Sequence, residues 1–351
     1  MELNKERNYL FDNIKVVLIF FVVSAHYIRI SGNFDPATFG GIFYIIAFSF
    51  IMQGFLFLSG YFSKNTEKCR KGAVKNFLIP YFVLMPVMFC VRLILFDDAT
   101  LDLMKPSHAL WFMLVMFVYR FLIKDLSKIP GIIFISAAML FISGCFSSLG
   151  EELALGRICS FLVFFIIGFS LEEKHIEKIR KIRKPIIFVI LAALLVFSYF
   201  VAYSELIPVE MWHLKDGYSI YHISNINGML IRLLLGIVSL CWLIVIINLV
   251  PERKTFFSEI GKRTITIYVC HIPIRYLIKE VHLPGDGNAF TYVFCFAIVI
   301  ASVYAFSRPA VHRTYNAAMD FVYDKVFMKG IGWLMILKKN IQIGLKIISR
   351  R

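Results

Sequence analysis

The chain has 351 residues, 59% of them hydrophobic and 17% charged, with a formal net charge of +15 and a mean hydropathy of +0.74. A soluble domain is about 45–50% apolar and about 25% charged, so this composition excludes a single water-facing core. It also excludes the nucleic-acid reading that a charge of +15 would invite in a soluble protein, because the cations gather in alternate segments between apolar runs.

In chain order, the apolar runs predict an all-α, polytopic transmembrane bundle of about ten spans. They cover 11–30, 40–62, 77–96, 109–123, 130–146, 158–171, 185–203, 229–250, 264–279 and 289–307. The fourth, fifth, sixth and ninth are short for a ~30 Å hydrocarbon core. Residues 1–310 form the predicted membrane domain. The remainder, 311–351, reads as a basic tail with an amphipathic helix on the anionic inner leaflet, held by membrane lipid. A short eleventh span through MKGIGWLMIL is the alternative there. The loop at 204–228 is long for a bundle connection and contains Trp212, His213, Lys215, Asp216 and His222.

One set of loops carries most of the 38 Lys and Arg residues, including Lys64, Lys68, Arg70, Lys71, Lys75, Arg120, Lys124, Lys128, Lys178, Arg180 and Lys184. The other set is richer in acids: Asp97, Asp98, Asp102, Glu151, Glu152, Glu205 and Glu210. Cations accumulate on the cytoplasmic side, which predicts cytoplasmic termini and a multi-pass protein of the cell membrane. The seven cysteines sit mostly inside apolar runs and read as small buried side chains. No spacing suggests a metal site.

Ionisable groups inside a membrane are costly. The first span opens on Asp12 and Lys15 and contains His26. Lys15 and His26 are separated by about 16 Å of helix and about 20° of rotation, so they share a face. That suits a ligand with an anionic head at the membrane edge and a reacting group inside. Equally, Lys15 snorkels to one surface and His26 meets the other.

The stretch Arg7-x4-Asp12-x2-Lys15-x10-His26 resembles the opening of the acyltransferase-3 family of integral membrane O-acyltransferases. So, in order, do FSFIMQGFLFLSGYF (48–62), KCRKGAVKNFLIPYF (68–82), HALWFMLVMF (108–117), RICSFLVFFIIGFS (157–170) and SEIGKRTITIYVCHIPI (258–274). The likeness is to the branch of fucose and cell-surface polysaccharide O-acetylases. Where members of that branch often carry His-Met-Pro in the second helix, this chain has Ile51, Met52 and Gln53. Its basic residues Arg70, Lys71 and Lys75 do not keep the usual Arg-x-x-Arg spacing.

The resemblance implies transfer of an acyl group, most simply acetyl, from acetyl-CoA to a hydroxyl of a cell-envelope glycan or a lipid-linked sugar. Acetyl-CoA is then a donor substrate, and no cofactor is permanently bound. Such transfer needs a base for the hydroxyl proton and charge stabilisation at the tetrahedral oxygen. His26 fits as base, with Asp12 or Lys15 as an orienting or charge-pairing group. Lys15, Arg70, Lys71 and Lys75 fit as a clamp for the donor's phosphates, although the positive-inside rule alone also places cations there. Arg157, His271 and Trp111 are acceptor-side candidates; for Trp111 an interfacial position is the ordinary explanation, and for His271 hydrogen-bonded packing. The competing class is a transporter, whose polar groups would line a path.

Overall fold

The computed structural model describes residues 8–31, 34–96, 99–150, 152–285 and 287–330. Arg7, Asp97, Asp98, Glu151 and the predicted interfacial helix beyond 330 lie outside the described residues. Among those described, every regular element is a helix, as segments without water to bond their backbone groups require. The main elements are α1 (Leu10–Ile30), α2 (Phe39–Phe48), α3 (Ile51–Tyr61), α4 (Thr66–Ala73), α5 (Ile79–Leu95), α6 (Trp111–Leu126), α7 (Ile132–Ile142) and α8 (Leu155–Ser170). They continue as α9 (Glu173–Arg180), α10 (Lys184–Ser204), α11 (Asn225–Leu249), α12 (Ser258–Gly261), α13 (Thr264–Glu280), α14 (Ala289–Phe306) and α15 (Pro309–Phe321).

A helix lies at each predicted span. Among the described residues, seven helical stretches are long and apolar enough to cross a membrane: Leu10–Ile30, Phe39–Tyr61, Thr66–Leu95, Glu152–Ser170, Lys184–Ser204, Asn225–Leu249 and Ala289–Phe306. The other three, α6, α7 and α13, have 16, 11 and 17 residues. At 1.5 Å per residue they fall short of a ~30 Å core.

Two spans depart from simple helices. The expected helix over 40–62 is broken between α2 and α3, where Phe50 leaves helical geometry at φ −143°, ψ −19°. Breaking a helix in an apolar setting strands carbonyl groups. Here Ser49 Oγ donates to the Ile46 carbonyl at 2.6 Å and Gln53 Nε2 to the Phe48 carbonyl at 3.2 Å. The third span begins earlier than expected. The basic stretch is itself helical as α4 and runs into α5 through a π-helical segment, Val74–Leu78.

The loops predicted as cation-rich meet one another at one end of the bundle. Asn13 of α1 donates to the carbonyls of Pro251 and Arg253 and accepts from Thr255 and Ser258. Asn248 donates to the carbonyls of Ile179, Arg180 and Ile182 and accepts from Lys184. Arg180 donates to the Ile247 and Val250 carbonyls. Lys64 donates to the Phe169 and Leu171 carbonyls. The chain after residue 308 packs here as α15, where His312 Nδ1 meets Thr266 Oγ1 at 2.8 Å.

Between the ends, α3 and α8 touch backbone to backbone. A Cβ on Gly60 would sit 1.9 Å from the Phe165 carbonyl oxygen, and one on Gly168 would sit 2.0 Å from that of Phe57. Each helix thus presents a Phe-x-x-Gly segment to the other, and only glycine permits that approach.

Candidate active site

The far end of the bundle gathers the aromatic and histidine side chains. His26 lies near the end of α1, and its ring centroid is 5.2 Å from that of His271 and 6.1 Å from that of Phe48. His271 lies on α13 and is fully buried. Its Nδ1 sits 3.3 Å from the Ile267 carbonyl one turn back. A carbonyl only accepts, so Nδ1 carries the proton and Nε2 presents a lone pair. That Nε2 has no hydrogen-bond partner among the described residues. The neighbouring Tyr27 hydroxyl bonds to Ser302 Oγ at 3.1 Å and to the His271 carbonyl at 3.4 Å, which ties α1, α13 and α14 together around the imidazoles.

The break after α2 brings Phe48 against this pair, and the long loop closes over it. The loop's short turn Val209–His213 carries His213, whose Nε2 is 2.7 Å from the Tyr44 hydroxyl. The His213 ring also packs on Phe48, centroid to centroid 5.1 Å. Burial, and then the nearby cations Arg157, Lys215 and Arg29, push the His213 imidazole down to about 3. It is therefore neutral at physiological pH. Arg29, Arg275 and Arg157 all lie within electrostatic reach of the Tyr44 hydroxyl. Arg157, near the start of α8, stacks its guanidinium 4.5 Å from the centroid of Trp111, a cation–π geometry. Phe48, Met52, Trp111, Arg157, Phe161 and His213 are among the residues that enclose a cavity of about 20 Å³, enough for one water or hydroxyl group.

The loop is seated by Arg232 of α11, which is 3% exposed. Its guanidinium donates to Ser143 Oγ, Ser160 Oγ and the carbonyls of Leu140 and Asp216.

Four of the expected site residues, His26, His271, Arg157 and Trp111, converge here. The others do not. Asp12 pairs with Lys15 at 2.8 Å, and fourteen residues of helix, about 21 Å, separate it from His26. The structure thus corrects the expectation that Asp12 orients His26: it is too distant and is engaged by Lys15. Arg70 pairs with Asp125 and donates to the Phe121 carbonyl. Lys75 pairs with Asp320 at 2.9 Å. Lys71 is exposed on α4. At the same end Arg120, first noted only as a loop cation, reaches Cys69 Sγ at 3.3 Å and faces the Phe77 ring. Sequence reasoning assigned no role to His213, Tyr44 or Arg275. The loop length and its polar content marked the region of His213, and Arg275 follows His271 by one helical turn, but no spacing linked either to His26.

The apolar helices that surround these side chains define a multi-pass membrane protein. Against models of known families, residues 8–308 match the acyltransferase-3 model, described as an acyltransferase domain. The chain belongs to that family and is a membrane acyltransferase. No curated protein and no solved structure gives a significant match.

Proposed function

We propose that the protein transfers an acetyl group from acetyl-CoA to a hydroxyl of a cell-envelope glycan or a lipid-linked sugar. The observation that carries this reading is the approach of His26 to the buried His271, with an unbonded Nε2, beside a cavity of hydroxyl size. By the positive-inside rule, the end with Asn13, Asn248 and the paired lysines is cytoplasmic and the histidine end faces outward.

In this scheme the donor's phosphates stay among the cations at the cytoplasmic end and its long thiol arm enters the bundle beside α1. The distance from Lys15 to the level of His26, about 16 Å, is the distance that arm has to span. His26 accepts the proton of the acceptor hydroxyl as the oxygen attacks the thioester carbonyl. The tetrahedral oxyanion then expels the thiolate, which takes up a proton, and the new ester leaves with the acceptor. Arg157 and Arg275 supply positive potential where the oxyanion forms. The Nε2 lone pair of His271 is placed to accept a hydrogen bond from a substrate hydroxyl or from His26.

The test is acetyl transfer from labelled acetyl-CoA by the purified protein in lipid, with thermal stability followed in parallel. His26→Gln keeps shape and hydrogen bonding but not basicity, and turnover should fall by about 10²–10⁴-fold. Near-normal turnover by a stable His26→Gln protein would remove His26 as base and leave His271 as the remaining imidazole of the pair.

A further inference from the structure

Beside the small cavity lies a larger open one, of about 430 Å³, lined by Arg92, Thr100, Asp102, Lys105 and Arg157 among others. That is the size of a site for a sugar or two. Arg157 lines both cavities, and Phe48 of the smaller one packs on His26.

The open cavity is basic at an end of the bundle whose loops are otherwise poor in cations. Cations are sparse in the loops of this end, and several of those present are satisfied by the protein. Arg29 pairs with Glu210 at 3.3 Å, Lys215 with Asp216 at 3.6 Å, and Arg232 is saturated by the hydrogen bonds described above. Three others, Arg92, Lys105 and Arg157, line the cavity. Arg92 donates to the Thr100 carbonyl, while its buried Nε meets no partner among the described residues. Lys105 is exposed and has no ion pair among the described residues. Asp102 is the one acid among the described lining residues, and its Oδ1 accepts from the Met104 backbone N–H at 2.8 Å.

We propose that this cavity binds an oxyanion carried by the acceptor, so that the protein selects an acidic sugar over a neutral one, with Arg92, Lys105 and Arg157 as the recognising groups. Guanidinium groups hold carboxylates and phosphates through paired hydrogen bonds. The oxyanion is either a carboxylate on the sugar or the phosphate that links a sugar to its lipid. The inference rests on the acyl-transfer reading for its word "acceptor", but the binding it predicts is measured without turnover.

The experiment measures dissociation constants for two probe pairs on the full-length protein in lipid nanodiscs. One pair is trigalacturonate and its carboxyl-reduced counterpart. The other is polyprenyl-diphosphate N-acetylglucosamine and polyprenyl N-acetylglucosaminide, which lacks the diphosphate. At least one charged probe should bind about tenfold or more tightly than its neutral partner, and the preference should shrink as salt is raised. Whichever pair shows it identifies the source of the anion. Arg92→Ala with Lys105→Ala should cut the preference about tenfold, while Arg92→Lys with Lys105→Arg should retain most of it. Equal binding within both pairs overturns the inference, as does a preference that survives the double alanine variant. A charge-keeping variant that loses the preference as fully as the alanine variant overturns the recognising role of these two residues. Failure of the acyl-transfer reading would look different: the preference would persist while no probe, charged or neutral, gained an acetyl group.

Discussion

The two ends of this bundle use their cations differently. At the end that holds Asn13 and Asn248, most of the positive groups that sequence reasoning flagged are spent on the protein itself. Lys15, Arg70, Lys75 and Lys124 pair with Asp12, Asp125, Asp320 and Glu67, and Arg180, Lys184 and Lys64 bond to backbone carbonyls. Arg120, which meets only a sulfur and aromatic faces, is the exception there. At the histidine end Arg29, Lys215 and Arg232 are engaged by the protein too, but Arg92, Lys105 and Arg157 line a cavity, and both Arg92 and Arg275 keep a buried Nε without a partner among the described residues. Leaving a buried donor unbonded costs free energy. An end that satisfies its charges is holding a shape, and an end that leaves some of them unsatisfied is arranged for something that arrives.

Three substitutions would break or sharpen that contrast. The largest effect is expected at Asn248, whose amide serves three carbonyls at the end of α9 and just beyond it. Asn248→Ala should lower stability by about 2–4 kcal/mol, since several buried hydrogen bonds go at once, and leave turnover per folded molecule unchanged. Unfolding in detergent micelles measures the first and labelled-acetyl transfer the second. Arg275→Met at the other end should do the reverse. Replacing a poorly paired buried charge by an apolar group of similar size is neutral or stabilising, so the protein should melt at the same temperature or higher. Turnover should fall about tenfold or more as positive potential at the reacting oxygen is lost. A destabilised Arg275→Met protein with normal specific activity would make the two ends alike. The smallest effect is expected for Lys75→Ala. An exposed ion pair contributes little, so stability should not change measurably. The Michaelis constant for acetyl-CoA should rise severalfold with kcat held, because contacts to the distant phosphates bind ground and transition states equally. An unchanged constant would assign Lys75 to its partner Asp320 alone.

Much of the fold could be read from the chain because apolar length is a physical requirement of crossing lipid. Even the short helices α6, α7 and α13 lie where the apolar runs are. The break at Ser49–Phe50 was not readable, since hydropathy is continuous across it and the groups that tolerate it, Ser49 and Gln53, are ordinary residues until their bonds to Ile46 and Phe48 are seen. The position of His26 could be read because an imidazole on an apolar helix stands out. That of His213 could not, since it depends on a loop folding back on α2 from 169 residues away in the sequence. The basic cluster at the other end shows the same boundary: charge is visible in a sequence, whereas the carboxylates that answer it, Asp125 for Arg70 and Asp320 for Lys75, are not.

The paired glycines of α3 and α8 set a limit on how the small cavity can widen. Met52 belongs to α3, and Arg157 and Phe161 to α8, so these helices supply facing walls of that cavity. Their contact at Gly60 and Gly168 is between backbones, with no side-chain rotamers available to absorb a displacement. The two helices therefore travel as one body, like two jaws cast in a single piece. Any widening beyond the room for a hydroxyl group has to come from the other walls: the tip of α2 at Phe48, the start of α6 at Trp111, or the loop that carries His213.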